Sequence, residues 1–141
     1  MTETLTAWII GDQLLDEHPA IAQAEALAGS RDRVKVLLIE SHSRLRTKRY
    51  QLKKIVLLLS AMRHYAEVLR GRGFEVEVLK ASSFSEGLKA HTKAHTVSRV
   101  VTMASASYFG RQAQRRLEET LGLPVEVLPN TQFLVERFNP I

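Results

Sequence analysis

The chain has 141 residues, 45% of them hydrophobic and 25% charged, a size and composition that suit one globular domain and exclude a disordered or collagen-like chain. It contains no cysteine, so a disulfide framework, a thiolate zinc site, a cysteine nucleophile and a cysteine-held iron–sulfur cluster have no ligands among these residues. Lys and Arg number 20 against 15 Asp and Glu, a net charge of +5 that suits an anionic partner without identifying one.

Short β-branched runs alternate with longer amphipathic stretches, as in a parallel α/β sheet. Leu5–Ile10 (LTAWII) reads as a first strand ending at Gly11, and alanine-rich Pro19–Ala28, stopping at Gly29, as a crossover helix. Arg33–Glu40 contains VKVLLIE, apolar on both faces like a central strand, and closes on the carboxylate of Glu40. The longest helix is expected from about Tyr50 to Arg70, with Ile55, Leu58, Leu59, Met62, Ala66 and Leu69 on one buried face. At about 100° per residue, Leu57, Ala61 and Val68 fall on the opposite side. That second stripe is covered either by long side chains of neighbouring helices or by a partner, a second copy or a further domain.

Phe74–Leu79 (FEVEVL) alternates as a half-exposed edge strand does. Ser83 and Glu86 stand at capping-box spacing before a helix expected to reach about Lys93. Arg99–Met103 reads as a fourth strand, Phe109–Leu121 as a helix closed by Gly122, and Val125–Leu128 as a fifth strand. The expected fold is therefore a doubly wound, five-stranded parallel sheet of order 3-2-1-4-5 with helices on both faces. Residues 1–128 form the domain, and 129–141, without periodicity and ending in FNPI, read as the start of a linker. Ligands of such sheets bind at the C-terminal strand ends beside the switch point, here between strands 1 and 4.

The loop Gly11-Asp12-Gln13-Leu14 follows strand 1 and offers a tight turn, a carboxylate and an amide at that point; it also reads as a turn with a helix cap from Asp12 or Asp16. It carries neither the dinucleotide nor the triphosphate glycine motif. Glu40, beside it, is either a hydrogen-bond acceptor for a ligand's ring N–H or hydroxyl groups, or a solvated strand end or the ion-pair partner of Arg44, Arg46 or Arg49. Ser41–Lys54 is the most basic window and reads as a solvated loop or a phosphate-tracking surface, with Tyr50 its one aromatic residue. His91 and His95 have the spacing of helical metal ligands, but no glutamate lies in the motif and no third ligand is evident in the sequence, so no metal is assigned. No apolar run has the about 18–20 residues of a membrane span, and Met1-Thr2-Glu3-Thr4 lacks the basic start of a signal peptide, so a cytoplasmic location is expected.

Trp8-Ile9-Ile10-Gly11-Asp12-Gln13-Leu14, Glu40-Ser41, Lys53-Lys54-Ile55 and Leu59-Ser60-Ala61-Met62-Arg63-His64-Tyr65-Ala66 together resemble the N-terminal domain of the deoxyribodipyrimidine photolyase-related proteins, a bacterial branch of the photolyase/cryptochrome superfamily. Leu69-Arg70, Gly73-Phe74 and Val76 continue the likeness, which is strong to about Leu79 and weaker beyond. The resemblance implies a Rossmann-like domain that carries a ribityl-lumazine-type antenna, with Gly11, Asp12, Gln13, Leu14 and Glu40 as its contacts. It also implies a parent flavoprotein that serves DNA repair or light sensing and meets DNA as the full-length protein. FAD, the iron–sulfur cluster and the lesion surface would sit in a C-terminal helical domain, and this chain alone would not be catalytic. The alternative, from the residues alone, is a stand-alone α/β nucleotide-binding or regulatory module that interacts, or dimerises, through Leu57, Ala61 and Val68.

Overall fold

A computed structural model describes residues 4–11, 13–41, 52–105 and 108–130. Asp12, most of the basic window, and the segment 131–141 expected to begin a linker lie outside them. Among the described residues the strands are β1 (Leu5–Ile9), β2 (Val34–Ser41), β3 (Glu75–Ala81), β4 (Arg99–Met103) and β5 (Val125–Leu128). The helices among the described residues are α1 (Pro19–Ala28), α2 (Leu52–Gly71), α3 (Phe84–His95) and α4 (Tyr108–Leu121), with a 3-10 turn at Arg31–Arg33. All strand pairings are parallel and the order is β3-β2-β1-β4-β5, as the sequence predicts.

Side-chain alternation along the strands divides the core into two layers. Leu5, Ala7, Ile9, Val34, Val36 and Leu38 face α1 and α2, where Ala24, Met62, Ala66 and Leu69 meet them. Trp8, Leu37, Ile39 and Val100 face α3 and α4, against Leu88 and Leu117. β1 and β2 are buried on both faces, which is why their sequences run apolar without alternation. Full burial of each large side chain contributes about 1.5–3 kcal/mol before the entropy of ordering is subtracted.

Several boundaries differ from the sequence reading. β2 and β3 extend to Ser41 and Ala81 because they pair with each other that far, so Glu40 lies inside its strand instead of closing it. Phe74 precedes β3 and is buried in the core, with the Arg31 guanidinium 4.6 Å from its ring centre. α3 runs two residues past Lys93 to His95 and is closed by Thr96 in the left-handed region (φ 52°). At its start, the Ser83 hydroxyl accepts from the Glu86 N–H, as the capping signal predicts. The cap of α1 is neither of the two aspartates considered: His18 occupies that position, its Nδ1 accepting from the Ala20 N–H.

The two stripes of α2 fare differently. Met62, Tyr65, Ala66 and Leu69 are buried, while Ile55, Leu58 and Leu59 are only half-buried. On the second stripe Leu57 keeps 69% of its surface exposed, Ala61 is exposed and Val68 is half-buried, so among the described residues the stripe is covered only at its Val68 end.

Candidate functional site

β1 ends beside β4 at the point where the chain reverses its direction of winding, and the loop after β1 fills the gap there. The Gln13 N–H donates to the Ile10 carbonyl at 2.8 Å, closing a tight turn. The Gln13 side chain, fully buried, crosses to β4, where its Nε2 donates to the Ala104 carbonyl at 3.0 Å. Its Oε1 is buried and has no hydrogen-bond partner among the described residues. A buried amide oxygen without a donor costs about 1–3 kcal/mol, so this atom is an unmet acceptor at the switch point.

Two further amides knit the same end of the sheet, and the sequence reading missed both. Gln114 of α4 is buried, donates to the Met103 carbonyl at 2.8 Å and accepts from the Ser105 N–H at 2.9 Å. Asn130 donates to the Ala104 carbonyl at 2.9 Å. An isolated Gln in an amphipathic helix carries no signal of such a role; the i, i+3, i+4 pattern that places it on the inner face is the one clue.

The loop is latched from α2. The Tyr65 hydroxyl donates to the Leu15 carbonyl at 2.6 Å, and Arg72 donates to the Asp16 carbonyl at 2.9 Å. Burial pushes the Tyr65 pKa up to about 12, so this donor stays protonated. Next to the latch, His18 is buried and burial lowers its pKa to about 4, leaving a neutral ring. Because Nδ1 accepts from Ala20, the ring proton is assigned to Nε2, and that N–H also lacks a partner among the described residues.

Gly11 and Glu40 face one stretch of α2. Ile9 aligns with Leu38 across the β1–β2 ladder, and Gly11 and Glu40 each lie two residues further on. A Cβ on Gly11 would stand 3.2 Å from Met62 Sδ and 3.6 Å from Leu58 Cδ1, so the close approach that requires glycine is to α2. Glu40 is buried, with Oε2 3.5 Å from the guanidinium of Arg63, which is itself largely exposed. The partner of Glu40 among the described residues is thus Arg63, while Arg44, Arg46 and Arg49 lie outside them. A cavity of about 300 Å³ opens here, lined by Glu40, Arg63, Ala66, Val78 and Lys80 among others. Leu14 is half-buried and packs on the α1–α2 core layer instead of lining this cavity.

The five sequence candidates therefore separate. Gly11 and Glu40 meet at α2, Gln13 bridges to β4, Leu14 supports the core, and Asp12 lies outside the described residues. The groups on offer are thus two buried polar atoms, Gln13 Oε1 and His18 Nε2, and, at a separate cavity, the Glu40 carboxylate beside the Arg63 guanidinium.

Comparison with known proteins agrees with this architecture. Residues 7–139 match the family profile described as deoxyribodipyrimidine photo-lyase-related protein. A (6-4) photolyase of Agrobacterium fabrum is 29% identical over 132 residues, covering 89% of this chain but only 25% of the relative's own length. Among solved structures, a universal stress protein from Archaeoglobus fulgidus superposes with a TM-score of 0.51 at 13% identity, covering 89% of this chain and 93% of that one. At so low an identity this last likeness concerns the fold.

Proposed function

The chain belongs to the deoxyribodipyrimidine photo-lyase-related family, and from that premise we propose that it is the antenna-chromophore-binding α/β domain of a photolyase-related flavoprotein acting in light-driven DNA repair or light sensing. The observation that carries the reading is the buried, partnerless Oε1 of Gln13 at the switch point. A ribityl-lumazine offers ring N–H and ribityl hydroxyl donors for it, and its polar ring edge and hydroxyls suit the largely charged lining of the Glu40 cavity, which includes Arg63, Glu67, Arg70 and Lys80. Bound there, such a group would supply light absorption and pass excitation to a flavin.

The chain's own part is to hold and orient that group. Gln13 accepts through Oε1 while its Nε2 stays committed to β4. Glu40, held by Arg63, accepts hydrogen bonds from hydroxyl groups at the cavity edge. Gly11 keeps the loop close to α2, the Tyr65 latch fixes its path, Leu14 supports it from the core, and Asp12 is assigned as a further polar contact. The chain spans a quarter of the photolyase relative; flavin, cluster and DNA contacts are assigned to the remainder of a longer protein.

One observation favours an interaction role alongside. Val56 and Leu57, adjacent on α2, are 53% and 69% exposed, an apolar pair suited to meeting a helical domain or a second copy of this chain. The test of the main reading is extraction of the pigments from purified full-length protein, resolved by mass. A flavin with a second, lumazine-type chromophore is expected, and Gln13→Leu should lose the second while keeping the first. Full-length protein holding neither would refute the reading.

A further inference from the structure

On the opposite face of the sheet from Glu40, three side chains from two elements converge. His91 and His95, one turn apart on α3, both meet Glu77 of the edge strand β3. His91 Nδ1 is 2.6 Å from Glu77 Oε1 and His95 Nε2 is 3.5 Å from Oε2. One ligand atom from each residue lies within 4.8 Å of the others. Glu77 is thus the third partner that the sequence did not reveal for the two histidines.

We propose that Glu77, His91 and His95 form a binding site for a divalent transition cation of the zinc class, with the fourth position open to water. Two imidazoles and a carboxylate are a known donor set for such ions, whose bonds of about 2.0–2.2 Å place tetrahedral ligand atoms about 3.3 Å apart. The observed separations bracket that value, so small rotations of the two partly exposed side chains, Glu77 and His95, reach it.

The support behind His91 is built for the task. Its Nε2 lies 2.8 Å from Oγ1 of Thr6, a fully buried hydroxyl on the central strand β1. A hydroxyl can donate or accept, so this contact survives either tautomer of the ring. With the ring proton on Nδ1, it bridges to Glu77; with the proton on Nε2, it is donated to Thr6 and Nδ1 presents its lone pair beside the carboxylate. Metal-ligating histidines are usually oriented in this second way, by a partner on the far nitrogen. Binding at Nδ1 therefore requires the tautomer that bridges to Glu77 to give up its Nδ1 proton and take one up on Nε2, which leaves the ring neutral with a single proton donated to Thr6.

The two cations that line the neighbouring cavity, of about 370 Å³, are both paired, Arg70 with Glu67 and Lys35 with Glu75. Burial pushes His91 down from its ordinary pKa against the opposing pull of Glu77, which keeps its ring neutral near pH 7. Burial would raise Glu77, but its hydrogen bonds with the two histidines count against that and its pKa is held low, so the carboxylate is ionised. A bound ion would clamp the edge strand to α3, on the face away from the proposed antenna site, so each reading can fail without the other.

The test is calorimetric titration of metal-stripped, untagged chain with Zn²⁺, with Co²⁺ absorption as a check on geometry. One ion per chain is expected at micromolar affinity, with a visible tetrahedral Co²⁺ band. His95→Ala and Glu77→Gln should each weaken binding at least tenfold, and Thr6→Val about 10–100-fold. Exposed His64 is the control, and His64→Ala should bind as the parent does. Absence of binding at 100 μM Zn²⁺, or affinity unchanged from the parent's in either His95→Ala or Glu77→Gln, would overturn the proposal.

Discussion

His18 makes the folded chain sensitive to mild acid. Its pKa falls from 6.5 to about 4 because the ring is buried, so the unfolded chain binds a proton at this site over a pH range in which the folded chain does not. Stability rises with pH wherever the unfolded state binds more protons, so this contribution is complete above pH 7 and is lost as pH falls from about 6.5 toward 4. Between pH 7.5 and pH 5 the two pKa values give a loss of about 2 kcal/mol from this one residue. His18→Asn keeps an acceptor at the cap of α1 and removes the titrating ring. Urea unfolding at pH 7.5 and pH 5 should therefore show a drop smaller by about 2 kcal/mol in the variant than in the parent. His91 and the carboxylates titrate in both proteins and cancel in the difference. Parallel pH dependences would show that the buried ring is not the source, and would refute the assignment of a neutral His18 with a partnerless Nε2.

Other expectations follow from packing. A Cβ on Gly87 would lie 2.9 Å from Ile39 Cδ1 and 3.1 Å from its Cγ2, so Gly87→Ala should cost about 1 kcal/mol net although alanine favours helix; a gain in stability would contradict the contact. Tyr65→Phe removes the bond to Leu15 and should lower stability by about 1 kcal/mol while speeding amide exchange in residues 13–17. Leu57→Glu, on an exposed position, should change stability by less than about 0.5 kcal/mol and weaken any self-association seen in sedimentation; a monomer at high concentration would remove the dimer version of the α2 surface.

The strand order was legible because β1 and β2 are apolar on both faces while the FEVEVL stretch alternates, which marks centre and edge. Helix ends marked by Gly29, Ser83 and Gly122 were equally readable. What sequence reading missed depends on contacts between distant residues. Glu40 and Arg63 are 23 positions apart, and Glu77 is 14 positions from His91. The alternation that identified Glu77 as the polar face of an edge strand could not say that α3 folds over that face. His18 was missed because histidine is an unusual cap, whereas nearby aspartates are favoured ones.

The central claim is that the switch-point loop and Glu40 hold an antenna chromophore. Its most direct test is the fluorescence anisotropy of a ribityl-lumazine titrated with this chain. The account predicts a rise that saturates at one chromophore per chain and is lost on Gln13→Leu; anisotropy that stays at the free-dye value at millimolar chain concentration would contradict it.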